Sequence, residues 1–276
     1  MNDVLLNRAG AENETIESLH SQIKELQDCI AVQKNEIRAE RQKYEDLLRN
    51  VLPDEIFREL LKNGKVIPQY HSNVTVMFAD FVGFTSMCEK VELQKLIKEL
   101  DLHFSYFDDI CDQHYLEKIK TIGDAYLCVG GMPMSNHSHP FDAIIAARKF
   151  LLYMNEVNER KIQNGEEPWR IRIGIHTGAV IAGVIGKCKF LYDIWGDTVN
   201  VASRMESGGE PGRINISETT YNYVKDYLRC TYRGKMPVKN KENIGMYFVE
   251  GLMPKYSADE LGRIPNLDFK VAMRKL

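Results

Sequence analysis

Two acidic residues stand where carboxylates could hold metal ions next to a phosphate group. Asp80 follows residues 74–79, whose alternating pattern predicts a β-strand, and a turn containing Gly83 comes next. Asp124 lies at the tip of a predicted hairpin over residues 116–129. If the hairpin pairs beside that strand, the carboxylates converge and could bridge two Mg²⁺ ions for attack on phosphorus. Considered alone, each acid is explained more simply as a helix cap or a turn residue.

The bulk composition narrows the class of protein that could carry such a site. The 276 residues are 44% hydrophobic, which is enough for one sizeable core with an appendage. With 36 basic and 39 acidic residues, the chain predicts neither nucleic-acid binding nor a polybasic membrane anchor. No apolar run approaches the roughly 18 residues of a membrane segment, and the polar start lacks a signal-peptide pattern. The six cysteines have no paired or metal-type spacing, which predicts reduced thiols in a cytoplasmic protein.

A heptad pattern near the N-terminus predicts a long helix, after a polar start of about 13 residues that we expect to be frayed. The apolar seam consists of Ile16, Ile23, Ile30, Ile37, Tyr44 and Val51 at position a and Leu19, Leu26 and Leu47 at position d. Gln33 and Glu40 occupy the other two d positions. The narrow seam favours a parallel two-stranded coiled coil over residues 1–52. The alternative is a single amphipathic helix that lies on its own domain.

Pro53 should end this helix, because the residue before a proline disfavours helical geometry. Residues 53–72 are then a hinge and linker with a short helix over 54–61. Residues 73–251 alternate strands and helices, which predicts an α+β domain with helices on one face of a largely antiparallel sheet. Within it, strands over 170–176 and 180–185 are predicted to flank a turn at Thr177 and Gly178. Residues 252–276 form a C-terminal extension.

Three motifs of the predicted domain together resemble the class III nucleotidyl cyclase catalytic domain. They are FADFVGFT at residues 78–85, EKIKTIGDAY at 117–126 and YDIWGDTVNVASRME at 192–206. The resemblance extends from about residue 74 to residue 251, and the motifs follow the family's order. It implies a ferredoxin-like βαββαβ domain with a largely antiparallel sheet, here preceded by a coiled-coil signalling helix.

The resemblance also implies a reaction, in which the 3′-hydroxyl of a nucleoside triphosphate attacks its own α-phosphate and releases pyrophosphate. Asp80 and Asp124 would bind two divalent cations, Mg²⁺ or Mn²⁺. The backbone amides after Asp80 would cradle the phosphates at a helix start. These substrate-binding residues are Phe81, Val82, Gly83, Phe84 and Thr85.

Four further residues match catalytic or phosphate-binding positions of the family. Asn200 and Arg204 are four apart on a predicted helix and therefore share a face. By resemblance, Asn200 positions the ribose and Arg204 stabilises charge on the α-phosphate. Arg172 matches a position that contacts the terminal phosphates. Lys239 matches a second phosphate-binding position, although Asn240 stands where the family usually has glycine.

Lys120 and Asp193 occupy the family's base-selecting positions. Adenine needs a protein donor for N1 and a protein acceptor for its 6-amino group, and these two side chains supply that pair. Family members that use GTP place an acid at the first position and usually cysteine at the second. The sequence therefore predicts an adenylate cyclase. A guanylate cyclase and a catalytically silent regulatory module of the same fold remain the alternatives.

The family builds each active site from two subunits, one providing the metal-binding acids and the other the base, ribose and α-phosphate contacts. This single chain carries both sets. It is therefore expected to form a homodimer through its catalytic domain and a parallel coiled coil, and to act in signal transduction below an upstream sensor domain.

Overall fold

The computed structural model describes residues 2–49, 51–186, 189–236 and 243–275. The chain divides into two compact units, Met1–Lys62 and Asn63–Leu276. No described helix combines the length and apolar character that crossing a bilayer requires. The described cysteines are all unpaired; Cys188 lies outside the described residues.

The first unit consists of two helices, α1 (Asn2–Arg49) and α2 (Asp54–Asn63). Helix α1 ends before Pro53, as predicted, and the Arg49 guanidinium lies 2.9 Å from the Asp54 carboxylate at the start of α2. Helix α1 begins at Asn2. Its described seam side chains are largely exposed, with Leu26 at 63% and Ile37 at 64%.

The second unit is built on one sheet. Its strands are β1 (Gln69–Phe81), β2 (Leu116–Ile122), β3 (Ala125–Gly130), β4 (Ile171–Ile185), β5 (Leu191–Trp195), β6 (Ile214–Ser217), β7 (Leu228–Met236) and β8 (Ile244–Leu252). Its helices are α3 (Phe84–Lys90), α4 (Leu93–Gln113), α5 (His139–Gln163), α6 (Asp197–Ser207), α7 (Glu218–Val224) and α8 (Leu267–Met273).

The strands lie in the order β2-β3-β1-β4-β6-β8-β7, and β5 pairs with the end of β4. Among the described strand pairs, only β4 and β6 are parallel. Strands β1 to β4 with α4 and α5 form a ferredoxin-like βαββαβ core. The predicted α+β class with a largely antiparallel sheet is therefore confirmed.

Both faces of the sheet carry helices, so the prediction of helices on one face was wrong. Successive residues of a strand point to opposite faces. Ile173 and Ile175 of β4 belong to the main core with Phe107 of α4 and Phe150 of α5. Gly174, between the two isoleucines, faces α6 instead, and a Cβ added there would come within 1.9 Å of the backbone nitrogen of residue 206. Helix α6 therefore lies directly on the strand backbone.

Strand β4 is continuous, and the predicted turn at Thr177 and Gly178 does not exist. Strand β1 pairs along this stretch, with Thr75 opposite Thr177 and Val74 opposite Gly178. A Cβ at Gly178 would come within 2.6 Å of the Thr198 hydroxyl of α6. Glycine is thus needed there for the close approach of a helix, a requirement that looks the same as a turn signal in the sequence.

The C-terminal extension packs onto the second unit. The Asn266 side chain accepts a hydrogen bond of 3.0 Å from the Phe269 amide and so caps α8. Phe269 is buried, and its ring lies edge-on to Phe141 of α5 with centroids 6.1 Å apart. The extension therefore contributes to the core of this unit.

Candidate active site

The structure places the two predicted metal-binding acids side by side. Asp80 lies near the end of β1 opposite Ala125, and Asp124 immediately precedes Ala125 in the β2–β3 turn. Gly123 allows that tight turn through a φ of +64°. Burial, followed by the negative charge of Asp80, raises the pKa of Asp124. Two neighbouring carboxylates form a site that a cation would stabilise.

Arg172 lies directly across from Asp80 on β4 and is held between two carboxylates. Its Nη2 donates to Asp80 Oδ2 at 3.0 Å, and its Nε lies 2.9 Å from Glu206 Oε1. Glu206 is only 7% exposed. Burial, and then the charge of Asp80, raises the pKa of Glu206 to about 7, although Arg172 acts in the opposite direction.

Glu206 was not among the residues predicted for the site. It is the last residue of the third motif, two positions after Arg204. An acid at a buried position of an amphipathic helix is the signal that could have identified it, because buried carboxylates are usually paired.

The donor set at Asp80 and Asp124 fits divalent cations that arrive with a phosphorylated substrate. Among the described residues, no group of three or more His, Cys, Asp or Glu side chains could hold a metal ion. Mg²⁺ is commonly bound by one or two carboxylates, with water and substrate phosphates as the other ligands. Carboxylate oxygen also suits Mn²⁺.

The backbone after Asp80 is only partly available to a phosphate. Phe81 is still part of β1, and the Val82 amide donates to the Arg170 carbonyl at 2.8 Å. Gly83 precedes α3 in the left-handed region, with φ 80°. The amides at Phe84 and Thr85 then belong to the first helical turn, where an α-helix provides no internal acceptor.

The two predicted base-selecting residues contact each other. Lys120 of β2 and Asp193 of β5 are 73 residues apart in sequence, yet Nζ donates to Oδ2 at 2.5 Å. The second oxygen, Asp193 Oδ1, accepts from the Ile194 amide at 2.9 Å, which fixes the carboxylate. The Lys120 side chain is 29% exposed and that of Asp193 is 9% exposed. The structure therefore presents a donor and an acceptor next to each other at a partly open position.

Asn200 and Arg204 lie one turn apart on α6, as predicted. The side of α6 opposite them is fixed to the sheet, where the Thr198 hydroxyl donates to the Ala179 carbonyl at 2.6 Å. Asn200 is exposed and Arg204 is half-buried, so both can be reached from outside the chain. Lys239 lies outside the described residues.

These contacts divide the predicted residues into two groups within one chain. The metal group consists of Asp80, Asp124 and Arg172. The base group consists of Lys120 and Asp193. Asn200 and Arg204 lie on α6, the helix that follows Asp193 in the sequence.

Comparison with known proteins gives one consistent result. A family model for the adenylate and guanylate cyclase catalytic domain matches residues 66–251. An adenylate cyclase of Mycobacterium bovis is 38% identical over 216 residues, 78% of this chain and 48% of that protein. The guanylate cyclase soluble subunit beta-2 of Rattus norvegicus is 35% identical over 234 residues, 84% of this chain and 34% of that protein. This chain therefore spans less than half the length of these two relatives.

A solved structure agrees with the sequence matches. The catalytic core of a rhodopsin-guanylyl cyclase with converted specificity, crystallised with ATPalphaS, is 34% identical to this chain. The two superpose with a TM-score of 0.62 over 66% of this chain and 97% of that core.

Proposed function

The chain belongs to the adenylate and guanylate cyclase catalytic domain family, and we propose that, within this family, it is an adenylate cyclase. It converts ATP into 3′,5′-cyclic AMP and pyrophosphate. The observation that carries the choice of ATP is the contact between Lys120 and Asp193.

This pair matches the edge of adenine. An ammonium group can only donate and an ionised carboxylate can only accept. Adenine offers N1 as an acceptor beside its 6-amino donor, whereas guanine offers a donor at N1 and an acceptor at O6. With guanine, both protein groups would lose a partner, and such mismatches can reduce kcat/KM by orders of magnitude. The relatives include both adenylate and guanylate cyclases, so the argument for ATP depends on these side chains.

The metal group handles the triphosphate. Asp80 and Asp124 would hold two divalent cations, which would lower the pKa of the 3′-hydroxyl and offset the negative charge of the triphosphate and leaving group. Arg172 contacts the terminal phosphates, because the fixed fork of donors on a guanidinium matches phosphate oxygens. The Phe84 and Thr85 amides, and Lys239, add further donors to the phosphates.

Helix α6 serves the reacting end of the nucleotide. Asn200 orients the ribose so that its 3′-oxygen faces the α-phosphorus in line with the leaving pyrophosphate. Arg204 stabilises the charge that grows on the α-phosphate oxygens. Removing one such donor from an active site typically lowers kcat about 10²–10³-fold.

The two groups of one chain belong to two different active sites of a head-to-tail homodimer. The metal group of one subunit meets the base group and α6 of the other, so each dimer has two equivalent sites. The exposed apolar seam of α1 supports a parallel coiled coil between the subunits, because a partner helix would cover it. An upstream sensor domain would act through this helix.

The deciding experiment is product formation by the purified chain with ATP and, separately, GTP, in Mg²⁺ and in Mn²⁺. We expect cyclic AMP from ATP and little cyclic GMP. Predominant cyclic GMP would show that the base pocket was misinterpreted and favour a guanylate cyclase. A confirmed dimer that makes neither product would favour a silent regulatory module. That module is the weaker hypothesis, because the complete set of metal, base and α6 residues would then serve no purpose.

A further inference from the structure

A buried acid on α6, Glu206, lies beside the metal group although it belongs to none of the roles proposed above. Its backbone rests against Gly174 of β4, where an added Cβ would come within 1.9 Å of its nitrogen. Arg172 is two residues away from Gly174 and points to the same face of the strand. From this backbone position the Glu206 carboxylate extends along β4 and reaches Arg172.

The contact between Glu206 and Arg172 is an ion pair without a well-directed hydrogen bond. Arg172 Nε and Glu206 Oε1 are 2.9 Å apart. Neither atom has a hydrogen-bond partner of good geometry among the described residues. The guanidinium is instead oriented by its bond from Nη2 to Asp80, at 3.0 Å.

Cations at Asp80 would weaken its contact with Arg172 in the substrate complex. They would take up carboxylate oxygens and would repel the neighbouring guanidinium. Arg172 then needs another carboxylate to hold its guanidinium in position. Glu206 is the second carboxylate that already contacts it.

We propose that Glu206 is a positioning residue that holds Arg172 by its Nε, leaving both Nη groups for the terminal phosphates of the nucleotide. A guanidinium has a fixed fork of donors, so holding one edge determines where the other edge points. This inference depends on the proposed function, because it assigns Arg172 to the triphosphate.

The first measurement is affinity for inorganic tripolyphosphate in Mg²⁺ by titration calorimetry, which does not require turnover. Glu206→Gln keeps the shape of the side chain but removes its charge. We expect it to weaken tripolyphosphate binding about tenfold, as for one lost charge-assisted contact. The same variant should raise KM for ATP by a similar factor while kcat changes much less.

A double-mutant cycle tests whether Glu206 acts through Arg172. In an Arg172→Ala background, Glu206→Gln should cause no further loss of tripolyphosphate affinity, because its partner is already absent. The matched control is Glu210→Gln, which removes another carboxylate paired with an arginine, Arg233 at 3.1 Å, outside the site. This control should leave tripolyphosphate affinity unchanged.

Additive losses in the cycle would overturn the proposal, and so would an unchanged affinity in Glu206→Gln. A shift in the Mg²⁺ concentration needed for half-maximal binding, with no dependence on Arg172, would instead assign Glu206 to the cations. If the unaltered chain binds tripolyphosphate but forms no cyclic product, the cyclase proposal fails while the positioning proposal is still tested.

Discussion

A homodimer with shared sites predicts that two inactive variants restore each other. Asp80→Ala removes a metal ligand and Arg204→Ala removes the α-phosphate contact, so each homodimer should be inactive. In a heterodimer, the metal group of the Arg204→Ala chain meets the intact α6 of the Asp80→Ala chain. One site is therefore complete, and the other lacks both residues.

The expected recovery follows from counting sites. If equal amounts of the two chains pair at random, half of the dimers are heterodimers, and each has one of two sites intact. The mixture should therefore show about a quarter of the unaltered activity, and the isolated heterodimer about half, for independent sites in a head-to-tail arrangement. The assay is cyclic AMP formation by co-expressed chains that carry different affinity tags and are purified through both.

The structure also supplies a matched negative control. Asp80 and Arg172 contact each other at 3.0 Å and belong to the same group. A heterodimer of Asp80→Ala with Arg172→Ala has one defect in the metal group of each site, so no site is complete and activity should not recover. Equal recovery in both pairings, or no recovery in a purified heterodimer of Asp80→Ala with Arg204→Ala, would refute the shared site.

Three further predictions follow from single contacts. Lys120→Glu combined with Asp193→Cys should lower kcat/KM for ATP by about 10² or more and raise it for GTP, because donor and acceptor are exchanged; loss of both activities in a folded dimer would contradict this. Burial and a neighbouring carboxylate raise the pKa of Glu117 to about 7. Between the two pKa values the folded chain then holds up to one more proton at Glu117 than the unfolded chain, so the contribution of this residue to stability falls with rising pH across that range, by roughly 3 kcal/mol. Urea denaturation at acid and alkaline pH should show a smaller fall in Glu117→Gln, and an equal fall would exclude Glu117 as its source. Gly174→Ala should lower the free energy of unfolding by about 1–3 kcal/mol, because its Cβ meets the backbone of α6 at 1.9 Å; an unchanged urea midpoint would refute this.

Local signals were sufficient for the elements that carry the two acids, whereas the roles of the site residues came from the family resemblance. The alternation before Asp80 and the turn around Asp124 predicted a strand and a hairpin, and the hairpin does pair beside the strand, with Asp80 opposite Ala125. Ser217 caps α7 in the same local way, because its hydroxyl accepts from the Thr220 amide at 3.2 Å. Strand alternation, turns and caps depend on residues close in sequence, so one sequence can reveal them.

The errors concern contacts between distant segments. A continuous β4 depends on its pairing with β1 and on the close approach of Thr198 to Gly178, neither of which has a local signal. The role of Gly174 beneath α6 is hidden for the same reason. Glu206 was missed because its partner, Arg172, lies 34 positions earlier in the sequence and on a different element. The contact between Lys120 and Asp193 likewise became visible only in three dimensions.

The close packing of α6 on the backbone of β4 limits which parts of the catalytic unit can move independently. At Gly174 and Gly178 the helix meets bare backbone, so sliding it along the strand would bring side-chain atoms into overlap. The proposed ribose and α-phosphate contacts on α6 would therefore travel with the strand that carries Arg172. If α1 transmits a mechanical input in the proposed dimer, α6 and β4 would respond to it together, as one rigid body.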